Sequence, residues 1–408
     1  MDQVVPLSQA DAEADVRRNA FIYSIAQAIN GSVAPISFTV GALAGYYLLD
    51  DDKSLATVPV TGFTIGIALG AIPAAALMRY VGRRLGFVLG SVVAICAGIL
   101  AISAIFADSF WFFVGSLTVA GFSGAFVQQY RFAAADGGDA NMRAKAISWV
   151  LAGGVASAVI GPQAVIHTYH MFDPIPFVGA FLSVTVLAAM GLVVLLFLRG
   201  EARRAPKQPD DSAGGRALAE IARQPRFIVA VICGMGSYAL MSLMMTAAPL
   251  AMVACGLGED NAALGIQWHV LAMFAPSFFT GHLIARFGKE RIIVVGMVLL
   301  AGGATAALSG IGLFNFWTAM VLLGVGWNFG FIGATSMLTD TYTPEERGKV
   351  QGFNDFVIFG AVALASFSSG QLLANVGWDW LNIFFFPVIA ICLGALAWLV
   401  MPGRWQTS

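Results

Sequence analysis

Charge is scarce in this chain: Asp, Glu, Lys and Arg together make up 11% of its 408 residues, where a soluble domain carries about 25%. That shortage excludes an ordinary water-soluble domain, and hydrophobic residues make up 58% instead. The strict apolar–polar alternation of a membrane-spanning barrel is missing as well. Cysteine is sparse too. Cys96, Cys233, Cys255 and Cys392 all lie inside apolar runs, which excludes the disulfide framework of a small secreted domain. No basic face lies outside the short loops, so nucleic acid is not expected as a partner. The first residues stay acidic through Asp15, without the basic start of a secretory signal. Paired carboxylates, nucleophile motifs and phosphate loops are not found, so no enzyme is expected.

What is present is a series of apolar runs about 20 residues long, the length a helix needs to cross a bilayer. They predict twelve transmembrane helices near 20–48, 55–78, 85–106, 110–132, 146–168, 176–198, 227–254, 261–284, 292–312, 314–337, 350–374 and 379–400. The organisation expected is a cytoplasmic N-terminal tail (1–18), a six-helix bundle (19–198), a cytoplasmic linker (199–226), a second bundle (227–401) and a cytoplasmic tail (402–408). With the N-terminus in the cytoplasm, only Lys53 of the 22 Lys and Arg falls on the outer side. That asymmetry sets the orientation and points to a bacterial inner membrane. The lipid bilayer is thus an expected partner, and the chain is read as a monomer.

The two halves repeat. Asp136 and Arg143-Ala144-Lys145 recur as Asp340 and Arg347-Gly348-Lys349, 204 positions on. Gly82-Arg83-Arg84 has a counterpart in Gly288-Lys289, 206 positions on. A repeat with an even number of spans gives parallel halves related about the membrane normal. The stretch Gly281-His-Leu283-Ile-Ala-Arg286-Phe-Gly288-Lys289 resembles the signature between helices 2 and 3 of major facilitator proteins, G-x-L-x-D-R-x-G-R-R; its partner Ala75–Arg84 is a poorer copy. The resemblance implies the all-α major facilitator fold, two six-helix bundles with a parallel pseudo-two-fold, working by alternating access. Both copies lack the family's Asp, replaced by Arg79 and Ala285. Since that Asp latches helix 2 to helix 11 in the family, Arg79 with Asp355 is a candidate charge-swapped latch; the alternative is an Arg79 that snorkels to lipid phosphates.

Sulfur and imidazole stand out at mid-membrane in the second half. Met241 and Met245 share a face of helix 7, and His269 and Met273 share a face of helix 8. Counted from the cytoplasmic ends, the four fall in one slab near the bilayer centre. Thioethers and imidazole form a soft, neutral ligand set that favours Cu(I), while methionine is also a common core filler. This paired pattern resembles the CcoA-type copper importers, relatives of riboflavin-type transporters. The resemblance implies import of a copper ion as substrate, with no prosthetic group, to supply cytochrome oxidase assembly, with copper chaperones of that assembly as partners. It further implies a relay role for Cys233 and Cys255, each otherwise a small buried apolar residue.

His167, His170 and Met171 at the outer end of helix 5 are candidate entry ligands, or simply an exposed loop. Gly161-Pro162 resembles part of an antiporter signature, with Ser157 where Gly is usual; the pair also serves to bend a helix. Gln128, Gln129, Tyr130 and Arg131 read as a cytoplasmic-end anchor. Two rivals remain. One is a carrier of a small organic solute, a vitamin such as riboflavin or an exported drug, held by Arg131, Gln163, Trp268 and Trp327. The other is a copper-binding sensor or assembly factor that does not transport.

Overall fold

In a bilayer a spanning backbone must satisfy its own hydrogen bonds, which leaves long apolar runs no stable state but helix. The computed structural model describes residues 9–50, 52–135, 140–199, 215–343 and 345–400, and among these every regular element is helical. The helices are α1 (Gln9–Asn30), α2 (Val33–Tyr47), α3 (Val58–Val81), α4 (Arg83–Phe106), α5 (Phe110–Gln128), α6 (Tyr130–Ala135), α7 (Ala140–Thr168), α8 (Val178–Leu195), α9 (Leu218–Ile221), α10 (Pro225–Ala254), α11 (Glu259–Phe274), α12 (Ser277–Phe287), α13 (Lys289–Leu308), α14 (Leu313–Leu338), α15 (Arg347–Asn375), α16 (Gly377–Ile383) and α17 (Phe385–Val400). Among the described residues eleven spans are long and apolar enough to cross a membrane, and the bent pair α11–α12, taken as one span, brings the number to twelve.

Four expected spans are interrupted, two of them being 110–132 at Gln129, between α5 and α6, and 379–400 at Phe384, between α16 and α17. Residues 20–48 divide into α1 and α2 at Gly31-Ser32. The run 261–284 divides at Ala275-Pro276, where α11 and α12 meet at 43°. The reason is chemical: Pro276 has no N–H to give the preceding turn. Of the expected tails and linker, residues 1–8, 200–214 and 401–408 lie outside the described residues, as does Asp136.

The chain forms two compact units, one of residues up to Ser37 with Gly66–Ala205, the other of Phe38–Ile65 with the chain from Pro206 on. In the first, α4 packs on α5 and α8, and α1 packs on α7 and α8. Its buried polar centre is Asn30, whose Nδ2 donates to Ser91 Oγ (3.0 Å) and Tyr130 Oη (2.9 Å). Tyr130 stacks near Tyr23 and meets Phe87 edge-on, so of the four residues read as an anchor at the end of helix 4, Tyr130 is a core residue while Gln128 and Arg131 are exposed. At one end, Arg18 donates to the Phe197 carbonyl (3.1 Å) and Arg84 to that of Leu196 (2.6 Å). These cations cover the unpaired carbonyls that end α8.

In the second unit α14 is the hub, packing on α10, α11 and α13. Small residues let α13 and α14 touch: a Cβ on Gly296 would stand 2.5 Å from the Gly330 nitrogen and 2.8 Å from the Gly326 carbonyl. Close packing of backbones through small residues is the usual adhesive between helices in lipid. Elsewhere in this unit hydroxyls join the α2–α3 segment to α15. Thr61 Oγ1 donates to Ser366 Oγ (3.2 Å), and the Gly370 N–H to Thr57 Oγ1 (3.2 Å). The repeat is also present in the backbone. Gly82 and Gly288 precede α4 and α13 with φ 85° and 89° and ψ near 160° in both, a region only glycine occupies without strain.

Candidate functional site

The mid-membrane part of the second unit holds the methionines and histidine singled out by sequence. Met241 and Met245 lie in a stretch of α10, Leu240–Met252, in which every residue is buried. A helix buried all round presents no single functional face, and methionine fills irregular gaps there. On α11, His269 and Met273 belong to the buried stripe with Ala262, Ile266 and Val270, and Trp268 points the opposite way and is exposed. The His269 ring is fixed by a bond to the Met320 carbonyl of α14 (2.9 Å). A carbonyl only accepts, so Nδ1 carries the proton and Nε2 is left with a lone pair. That Nε2 is buried and has no partner.

The break between α11 and α12 is healed from the hub. Asn328 on α14 donates to the Met273 carbonyl (2.7 Å) and to Ser277 Oγ (2.7 Å), and accepts from Thr280 Oγ1 (2.6 Å). The carbonyl of Met273 is thereby paired at the break, and non-helical backbone is tolerated at membrane depth where protein supplies such partners. Nothing in the sequence reading had singled out Asn328 or Thr280. A lone Asn in an apolar run was a signal, but its partner is 55 positions away.

Beside Asn328 on α14 an aromatic cluster begins. Trp327 and Phe331 of α14 stack at 5.1 Å with 13° between their planes. Tyr238 of α10 stands edge-on to both, at 5.3 and 5.0 Å, and Phe359 of α15 lies 6.0 Å from Tyr238. Tyr238, Phe331 and Phe359 are half-buried, whereas Trp327 is only 8% exposed. The Trp327 indole N–H is buried without an acceptor.

The remaining predicted residues are spread out. Cys233 is buried and Cys255 exposed, at the start of the turn that ends α10. Cys233 instead meets Cys392 of α17: its Sγ lies 3.8 Å from the Cys392 carbonyl, and Cys392 Sγ lies 3.7 Å from the Ile232 carbonyl. Cys96 is exposed on α4. His167 bonds the Gln163 carbonyl (2.8 Å), His170 contacts Asp173 (3.3 Å), and Met171 is 58% exposed. Arg131 is exposed, with its guanidinium 4.7 Å over the Phe132 ring. Arg79, in the last turn of α3, falls in the first unit and Asp355 of α15 in the second.

Charges in the second unit gather at one end. Lys289 of the signature stretch pairs with Asp340 (2.6 Å), and Arg226 pairs with both Glu290 (2.6 Å) and Asp340 (3.2 Å). Arg216 docks the start of the second unit's chain on Glu346 (2.8 Å), a residue 1% exposed, and on the Thr341 carbonyl (3.0 Å). Hydrogen bonds from Arg216 first, then from the Thr343 N–H, pull the Glu346 carboxyl from 4.5 to about 2. A depressed carboxylate contributes fully above its ordinary value and loses that contribution as pH falls through the lowered one. This clamp therefore stays whole from neutral pH down to about 4.5 and fails only toward about 2.

The sequence profile of the Major Facilitator Superfamily matches residues 19–276 and again 261–406. The chain belongs to the Major Facilitator Superfamily. Its relatives include the riboflavin transporter RfnT of Brucella anthropi, 52% identical over 388 residues, spanning 95% of this chain and 96% of that one. An uncharacterised major facilitator transporter of Bacillus subtilis, YddS, is 30% identical over 89% of this chain and 86% of its own. Among solved structures, a variant of the nucleoside transporter NupG covers 95% of this chain and 100% of its own, with a TM-score of 0.69 at 14% identity. That likeness is one of fold.

Membership in the superfamily carries the fold expected from sequence, and it carries the transporter class. It does not carry the cargo expected from the methionine–histidine pattern. The relative at 52% identity is a riboflavin transporter, and this overturns the copper importer, its service to cytochrome oxidase assembly and its chaperone partners. The spacing of Met241, Met245, His269 and Met273 is equally the spacing of a buried helical face, and spacing alone does not separate the two.

Proposed function

We propose that the chain carries a small organic solute of the vitamin class, riboflavin first among them, across the bacterial inner membrane. The observation that carries this reading is the 52% identity to a riboflavin transporter across 95% of the chain. The aromatic cluster around Trp327 supports it, because a flat, poorly charged ring system needs stacking surfaces more than ion pairs. The one-sided basic residues support placing both termini in the cytoplasm. No prosthetic group is part of the proposal.

The test is uptake in a bacterial strain that neither makes nor imports riboflavin. Expression of this chain should restore growth on low external riboflavin and give saturable uptake of labelled vitamin, with vector-only cells showing neither. Equal membrane expression without uptake would overturn the assignment.

A further inference from the structure

Three tryptophan indoles of the second unit can be compared directly. Trp317 Nε1 donates to the Asn261 carbonyl at 3.2 Å, and Trp378 Nε1 donates to the Ala307 carbonyl at 3.3 Å. Trp327 Nε1 is equally removed from solvent and donates to nothing. A buried donor left unpaired is costly, and buried tryptophans ordinarily find a partner. Hydrogen-bonding capacity is not short nearby, since the next residue, Asn328, makes three bonds of its own. The gap is confined to the indole.

What surrounds that indole is a set of ring faces. Trp327 and Phe331 are one helical turn apart and stack with parallel planes, 5.1 Å apart at 13°, so they start an aromatic stack that a further flat ring can extend. Tyr238 from α10 meets them at 71° and 69°, forming a wall at the side of that stack. Phe359 from α15 extends the wall. Because Tyr238, Phe331 and Phe359 are only half-buried, their packing leaves aromatic surface uncovered. A stacked pair, an edge-on wall and one unpaired donor suit a planar heteroaromatic ring that has a hydrogen-bond acceptor on its edge. Stacking of such a ring on an aromatic side chain is favourable because every heteroaromatic ring has a π-face.

We infer that Trp327, Phe331, Tyr238 and Phe359 form a binding site for the ring system of a planar heteroaromatic solute, with Trp327 Nε1 donating to a ring carbonyl or unprotonated ring nitrogen. This rests on the carrier reading above and deepens it. In riboflavin the tricyclic ring carries both kinds of acceptor and the ribityl chain carries hydroxyls, so the site recognises the ring and not the sugar alcohol.

The experiment uses the full chain, purified in detergent and titrated into riboflavin while flavin fluorescence is followed. Stacking against tryptophan and tyrosine quenches that fluorescence, so the wild type should quench it saturably. Trp327→Phe keeps a stacking ring and removes the donor, and should raise Kd about tenfold, the scale of one lost hydrogen bond. Phe331→Leu keeps the donor and removes the ring stacked on Trp327; it should weaken binding to a similar degree, and it serves if the tryptophan variant is not monodisperse. Lumiflavin, the ring without the ribityl chain, should compete, and ribitol should not. Saturable quenching by the wild type with Kd unchanged in both variants would overturn the site. So would competition by ribitol but not by lumiflavin. Absence of saturable quenching in the wild type would count instead against riboflavin as the cargo.

Discussion

A carbonyl in the bilayer core that loses its helical partner has no water to turn to, and Asn328 is the residue that meets this need at the break before Pro276. Asn328→Leu removes the donor to Met273 and the acceptor for Thr280 together. The expected cost is about 1–3 kcal/mol for the stranded group, read as a lower Tm of the detergent-solubilised protein; an unchanged Tm would show that the break needs no support from α14. The sequence reading picked out Trp327 beside it and passed over Asn328. The neighbour was legible as a large aromatic in an apolar run, whereas Asn328 takes its meaning from Met273, Ser277 and Thr280 on other helices. The same holds for Cys233: burial was one of two readings its sequence left open, and its contact with Cys392 joins residues 159 positions apart.

Helices in lipid are not pressed together by water, so contact between α13 and α14 depends on how closely their backbones approach. Gly296→Ala should therefore be costly, since the new Cβ meets backbone atoms at 2.5 and 2.8 Å and backbone cannot rotate away. About 1–3 kcal/mol is the scale for such overpacking. Gly302→Ala on the same helix is the control, because its Cβ would meet only the Leu322 Cδ1 at 3.6 Å. A clear fall in Tm for the first and none for the second is the expected pair of results; equal effects would locate the sensitivity in the helix and not in the seam. Most elements were legible here, because one apolar run makes one span. The exceptions, Gly31-Ser32 and Ala275-Pro276 among them, came from local punctuation that hydropathy averages away.

For the molecule as a whole, the repeat was the most telling feature of the sequence, and it survives in Gly82 and Gly288 with φ 85° and 89°. Cargo was the least legible. Two Met and a His-x3-Met on adjacent helices read as ligands or as packing with the same letters, and the likeness to a riboflavin transporter across 95% of the chain corrects the cargo without deciding between those two roles. The charges that mark orientation are gathered in the second unit at the Arg226 end of α10, with Lys289, Asp340 and Glu290. Cys255 lies just beyond the opposite end of that 30-residue helix, about 45 Å away.

The four thiols therefore differ in what can reach them. Cys233 and Cys392 are shut inside the protein, and exposed Cys96 lies midway along α4, where lipid keeps water and the reactive thiolate away. Cys255 alone sits exposed at a helix end, which makes it a built-in attachment point for a topology reporter. A membrane-impermeant maleimide added to intact spheroplasts should modify the folded protein at one position, and Cys255→Ser should abolish the signal. Modification of Cys255 only after the membrane is opened would turn the whole orientation over. The dye that reads the outer face needs no engineered cysteine.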